Sequence, residues 1–151
     1  MPESELKTTI FEATKVAMKQ RDKARVAVLR MVNAEIKRVE VDQRGVELDD
    51  NGVLDVLNRM LKQRKDALQQ FSEAGRQDLA DQERFEIDVI AGFMPAQLSE
   101  EELEALLGET IARLGATSMQ DMGKVMGALR EPLKGRADMG AVSARVKALL
   151  A

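Results

Sequence analysis

Two glycines four residues apart, Gly123 and Gly127, lie in the run SMQDMGKVMGALREPLKG at residues 118–135, inside what otherwise reads as a helix. An interior glycine costs roughly 0.5 to 1 kcal/mol relative to alanine, so the pair must be offset by something that comes close to this backbone. On a helical wheel of about 100° per residue, Met119, Met122, Met126 and Leu129 share one sector, which predicts the core face. Gly123, Gly127 and Arg130 form the next sector, with Gln120 and Lys124 just beyond it. Two things can fill such a smooth strip. One is a neighbouring helix, and the motif taken alone favours that packing. The other is a ligand backbone, because bare peptide groups beside Lys and Arg suit a phosphate or a ribose. The run is no phosphate loop, since no strand pattern precedes it.

A second set of residues carries charge on apolar stripes. Arg64 lies between Met60, Leu61 and Leu68, and Glu83 and Glu86 continue the line from Leu79 to Ile90. If these two segments form an antiparallel hairpin turning near Gly75 and Arg76, Arg64 falls opposite Glu86. Two neighbouring carboxylates can suggest acid and base chemistry. An arginine within reach is expected to lower a carboxylate pKa, so the reading is a structural ion pair. The basic run RMLKQRK at 59–65 reads as a solvated helical face, with phosphate contact as its functional alternative.

Composition narrows the chemistry further. The 151 residues contain no Cys and no His, which removes thiol nucleophiles, thiolate metal sites and the side chain that titrates nearest neutral pH. Neither a metal nor a cofactor is expected, and catalysis by this chain alone is not. The net charge of −3 argues against nucleic-acid binding by the whole surface. From Ile111 onward, however, seven basic residues face three acidic ones, a local +4 that includes Arg130, Lys134 and Arg136. The start MPESELKTTIFEATK carries acids where a signal peptide needs a basic region, and no apolar run approaches about 18 residues. A cytoplasmic protein without membrane contact is expected.

The elements that must position these residues are helices. All four aromatic residues are Phe, and the core must be built from Leu, Val, Ile, Met and Ala. Apolar spacing predicts helices over 4–20, 23–43, 51–73 and 77–93, with Asp22 and Asp49 or Asp50 as caps and Gly75 as a stop. Pro95 then breaks the chain. A capping box at Ser99 and Glu102 restarts it, Gly115 ends that helix, Ser118 caps the glycine-bearing one, and Asp138 or Ala137 opens the last. The fold class is all-α: an N-terminal helical domain of about four helices over 1–95 and a three-helix C-terminal tail domain over 96–151.

The run KQRKDALQQFSEAGRQDLADQERFEIDVIAGFMPAQLSEEEL, then MGKVMGAL, then GRADMGAVSARVKALL, resembles the YqeY-like proteins. These are relatives of the C-terminal tail domain of the B subunit of the tRNA-dependent amidotransferase. The one departure noted is Met94 before Pro95, where the family is expected to have leucine. The resemblance implies a helical domain followed by a small helical tail that helps hold tRNA, while other modules perform glutamine-dependent carbon–nitrogen ligation. Gly123, Lys124, Val125, Met126 and Gly127 match the tail motif associated with RNA contact. The RNA-binding residues expected are therefore Gly123, Lys124, Gly127, Arg130, Lys134 and Arg136, with tRNA as partner and a protein of tRNA aminoacylation or amidation as a second. The chain has no nucleotide-binding loop and no serine–lysine amidase arrangement. A protein-interaction adaptor using a Met-rich helical surface is the alternative.

Overall fold

The structure, a computed structural model, describes residues 4–151, so the acidic start of the sequence at residues 1–3 lies outside it. Every regular element among the described residues is helical, as the composition predicts. The chain forms two compact units, one ending at Met94 and one spanning Pro95–Ala151.

The first unit contains α1 (Glu5–Lys19), α2 (Lys23–Asp42), α3 (Asp50–Glu73) and α4 (Gln77–Ala91). Local chemistry sets their starts. The side chains of Ser4, Asp22 and Asp49 accept hydrogen bonds from the backbone N–H groups of Lys7, Arg25 and Gly52, each satisfying a donor that the helix leaves free. Gly75, at φ +74°, makes the left-handed turn that lets α3 and α4 fold into a hairpin, the most extensive helix pair of the unit. Apolar stripes from all four helices meet in one core, with Ile10, Leu29, Val32, Leu57 and Ile90 fully enclosed. Glu40 is buried at its edge. Burial alone would raise its pKa, but the Lys7 ammonium at 2.6 Å and the Leu48 N–H at 3.0 Å together hold it below the ordinary carboxylate value.

The second unit contains α5 (Glu100–Leu114), α6 (Met122–Leu133) and α7 (Met139–Leu150). The capping box at Ser99 and Glu102 is present, and Gly115 closes α5 in the left-handed region at φ +66°. Asp138, not Ala137, caps α7. The core consists of Leu107, Val125, Leu129, Leu133, Val142, Val146 and Leu150.

One expectation about α6 is corrected. A single 3-10 turn over Met119–Asp121 precedes the helix, and its tighter winding breaks the wheel that put Met119 on the core face. Met119 is 42% exposed, while the core positions of α6 are Val125, Leu129 and Leu133, with Met122 and Met126 half-buried at their margin. Asp121 fixes this entry. Its carboxylate accepts the N–H groups of Thr117 at 2.9 Å and Ser118 at 3.3 Å, which lowers its pKa.

Candidate functional site

Gly123 and Gly127 both lie on the exposed side of α6. A Cβ placed on either would meet nothing within 4 Å. Helix packing over the strip, which the motif taken alone favours, is thereby corrected for the described residues: α6 turns Val125, Leu129 and Leu133 to its neighbours and the glycines away from them. The Gly127 N–H is committed to the i−4 carbonyl within α6, whereas Gly123 stands in the first turn, whose N–H groups have no acceptor inside the helix. What the strip offers is close approach and the second lone pair of each carbonyl, which suits a hydroxyl donor.

The predicted cations around the strip fall into two groups. Arg130 is exposed on the same side of α6 as the glycines. Lys124 is exposed too, and its ammonium donates to the Leu114 carbonyl at 3.2 Å, at the C-terminal end of α5 where the helix dipole favours a cation. Lys134 and Arg136 are half-buried in the turn after α6. Arg136 has a structural task, since its Nε donates to the Ala96 carbonyl and its own carbonyl accepts the Leu98 N–H at 3.0 Å. Gln97 reinforces the same strap through the Gly135 carbonyl at 2.8 Å. Arg145, counted in the +4 tail, is paired with Glu104 of α5. Over Pro95–Ala151 the seven basic residues face eight acidic ones, because α5 opens with Glu100, Glu101 and Glu102. The positive character of this unit lies in α6, the turn that follows it and α7, where Lys147 stands beside the paired Arg145.

Arg64 and Glu86 meet across the α3–α4 hairpin as the register predicts, with Arg64 Nε 3.8 Å from Glu86 Oε1. Arg64 also donates to the Met60 carbonyl of its own helix at 3.2 Å and lies against the Met31 sulfur of α2. Arg59, from the basic run, reaches Glu35 of α2 at 3.8 Å. The expected pKa direction is wrong for Glu86. Burial raises it above the ordinary 4.5, outweighing the lowering by Arg64, and Glu83 adds to the rise. The geometry explains this: the pair is too long for a hydrogen bond, and both Arg64 Nε and Glu83 Oε2 are enclosed without a hydrogen-bond partner.

The sign of the resulting pH dependence follows. The folded state holds the Glu86 proton to higher pH than the unfolded chain, so this group's contribution to stability is complete below about 4.5 and is lost as pH rises through the folded value. Glu86→Gln should therefore be at least as stable as wild type at pH 7 and should lose that component of the pH dependence. Denaturant midpoints measured across mildly acidic pH check it, and a variant markedly less stable at pH 7 would refute it.

Among the described residues no group of three His, Cys, Asp or Glu side chains converges as metal ligands do, and no helix is long and apolar enough to cross a membrane. Comparison with known proteins adds the following. The protein named Altered inheritance of mitochondria protein 41, mitochondrial, from Lachancea thermotolerans is 32% identical over 103 residues, covering 66% of this chain and 54% of the relative. The protein of the same name from Eremothecium gossypii is 31% identical over 105 residues, 68% of this chain and 57% of the relative. That from Pyrenophora tritici-repentis is 24% identical over 139 residues, 90% of this chain and 75% of the relative. In the first two matches the chain spans little more than half the length of the relative. None of these names describes an enzyme. All of them are mitochondrial, which overturns the expectation of a cytoplasmic protein: an acidic N-terminal stretch does not decide location here. A family model described as Yqey-like protein matches residues 7–150, in agreement with the motifs of the tail and of the Pro95 break, and the chain belongs to the YqeY-like protein family.

Proposed function

We propose that this protein is a non-catalytic RNA-binding accessory module, with tRNA as the RNA and α6 as the contact surface of the second unit. The observation that carries the reading is the open strip at Gly123 and Gly127, bordered by Lys124 and Arg130. A ribose hydroxyl can approach the α6 carbonyls there while the two cations meet phosphate. Such contact reads backbone and shape, which agrees with the absence of Tyr and Trp for base stacking. Any link to glutamine-dependent amide transfer then comes through a partner that supplies the catalysis.

Gly123→Ala and Gly127→Ala test it. With open space above each glycine, alanine should raise helix stability by about 0.5 to 1 kcal/mol. tRNA affinity in a gel-shift titration should nevertheless fall several-fold, because the added methyl holds the ribose away. Lys124→Ala should flatten the salt dependence by about one phosphate contact, near 0.7 to 0.9 in the log–log slope. Raised melting temperatures with unchanged tRNA affinity for both glycine variants would refute the strip as the RNA surface. Absence of tRNA binding by the wild type at every salt concentration would favour the adaptor, for which exposed Met119 is the available contact.

A further inference from the structure

The most basic segment of the chain lies in the other unit, at the corner between α1 and α2. Residues 15–30 contain Lys15, Lys19, Arg21, Lys23, Arg25 and Arg30 against Asp22 alone, a local +5 in a protein of net −3. Lys19, Arg21, Lys23 and Arg30 are all exposed, and none forms an ion pair among the described residues.

A solvated helical face would explain the charge by itself, but two features of this corner work against local stability. Arg21 occupies the left-handed position after α1, at φ +57°, where glycine is the ordinary choice. Its N–H donates to Met18 and that of Asp22 to Ala17, so the turn is a fully formed helix-ending motif with the wrong residue for comfort. Lys23 and Arg25 then stand in the first turn of α2, the positive end of the helix dipole, with no acidic residue in that turn. The helix end itself is already capped by Asp22. Cations kept where backbone and dipole both disfavour them indicate a requirement other than folding.

The arrangement also says what kind of anion fits. Lys15 and Lys19 stand one turn apart on the solvent side of α1, Lys23 and Arg30 two turns apart on that of α2, and Arg21 sits between the two stripes. Cations strung along a corner, without convergence on one point, match a row of phosphates. A lipid surface would need an apolar face beside them. On α1 the exposed Phe11 and Met18 share a side two turns apart, but the Phe11 ring lies under the Lys15 ammonium at 4.7 Å and the exposed Val16 projects away from both, so no continuous apolar face stands beside the cations.

We infer that the α1–α2 corner, through Lys19, Arg21, Lys23 and Arg30, is a second phosphate-backbone contact for RNA, independent of the α6 strip. The choice of RNA over other polyanions rests on the function proposed above.

Arg21→Gly separates the roles. Glycine relieves the left-handed strain, so the melting temperature should stay or rise, while the salt slope for bulk tRNA falls by about one contact. The combined Lys19→Gln, Arg21→Gly, Lys23→Gln and Arg30→Gln variant should lose at least tenfold in tRNA affinity at low salt and about three to four contacts of slope. Full retention of affinity and slope by this folded variant would overturn the corner. Loss here with no effect of Gly123→Ala, Gly127→Ala or Lys124→Ala would uphold the corner and overturn the strip. The reverse pattern would overturn the corner alone. If the combined variant keeps tRNA but loses binding to phosphatidylcholine–phosphatidylglycerol vesicles that wild type binds, the surface serves lipid and the inference falls.

Discussion

Arg64→Ala should destabilise the first unit by about 3 kcal/mol, the largest single effect of any charged residue there. The reason lies in what remains behind. Glu86 and Glu83 are left facing each other with no cation, inside an environment that already raises the Glu86 pKa with Arg64 present. The variant should therefore depend more steeply on pH than wild type, regaining stability on acidification as Glu86 takes up its proton. Glu86→Gln in the same chain should recover part of the loss by removing the stranded charge. Denaturant melts of the two single variants and the double variant give the coupling directly. A loss below about 0.5 kcal/mol for Arg64→Ala, or no recovery in the double variant, would refute the account. tRNA binding by the folded fraction should be unchanged, since neither residue belongs to a proposed contact.

Leu129→Ala should be the most damaging substitution in the second unit. Leu129 is fully enclosed, and replacing such a residue by Ala costs about 2 to 5 kcal/mol, depending on how far the cavity collapses. The unit rests on seven buried apolar side chains and no disulfide, and a domain of that size has little stability in excess. The two cores share no residue. Hydrogen exchange should accordingly rise across α5, α6 and α7 while amides around Leu29, Leu57 and Ile90 stay protected. tRNA affinity should drop with it, because the α6 surface loses its support. Protection retained throughout α6 in Leu129→Ala would contradict this packing.

Much of this molecule was legible before any coordinates. The helix ends at Asp22, Gly75, Ser99 and Gly115 follow from hydrogen bonds and dihedral preferences that span three or four residues, so neighbours in the chain suffice to read them. The meeting of Arg64 with Glu86 follows from hairpin register alone, and the family from motifs in the chain itself. The candidate surfaces were less legible. The partners of Lys124, Arg136 and Arg145 lie 10, 40 and 41 residues from those cations, and the acidic opening of α5 is as remote, so a local charge tally overstates how basic the tail is.

Sequence by itself determined, outside the entries to α6 and α7, which residues share a helical face and where the helices begin and stop, because those are properties of short-range geometry. Only the tertiary structure decided whether a face is covered. The wheel placed Gly123 and Gly127 together but carried no information on a neighbour, and the open space above them is a property of α5 and α7 packing on the other side of α6. The 3-10 turn that moved Met119 off the core is set by the Asp121 bonds to Thr117 and Ser118. The sign of the Glu86 shift is of the same kind: it is a contest between desolvation and the Arg64 charge, and burial, which decides it, exists only once three helices have enclosed the pair.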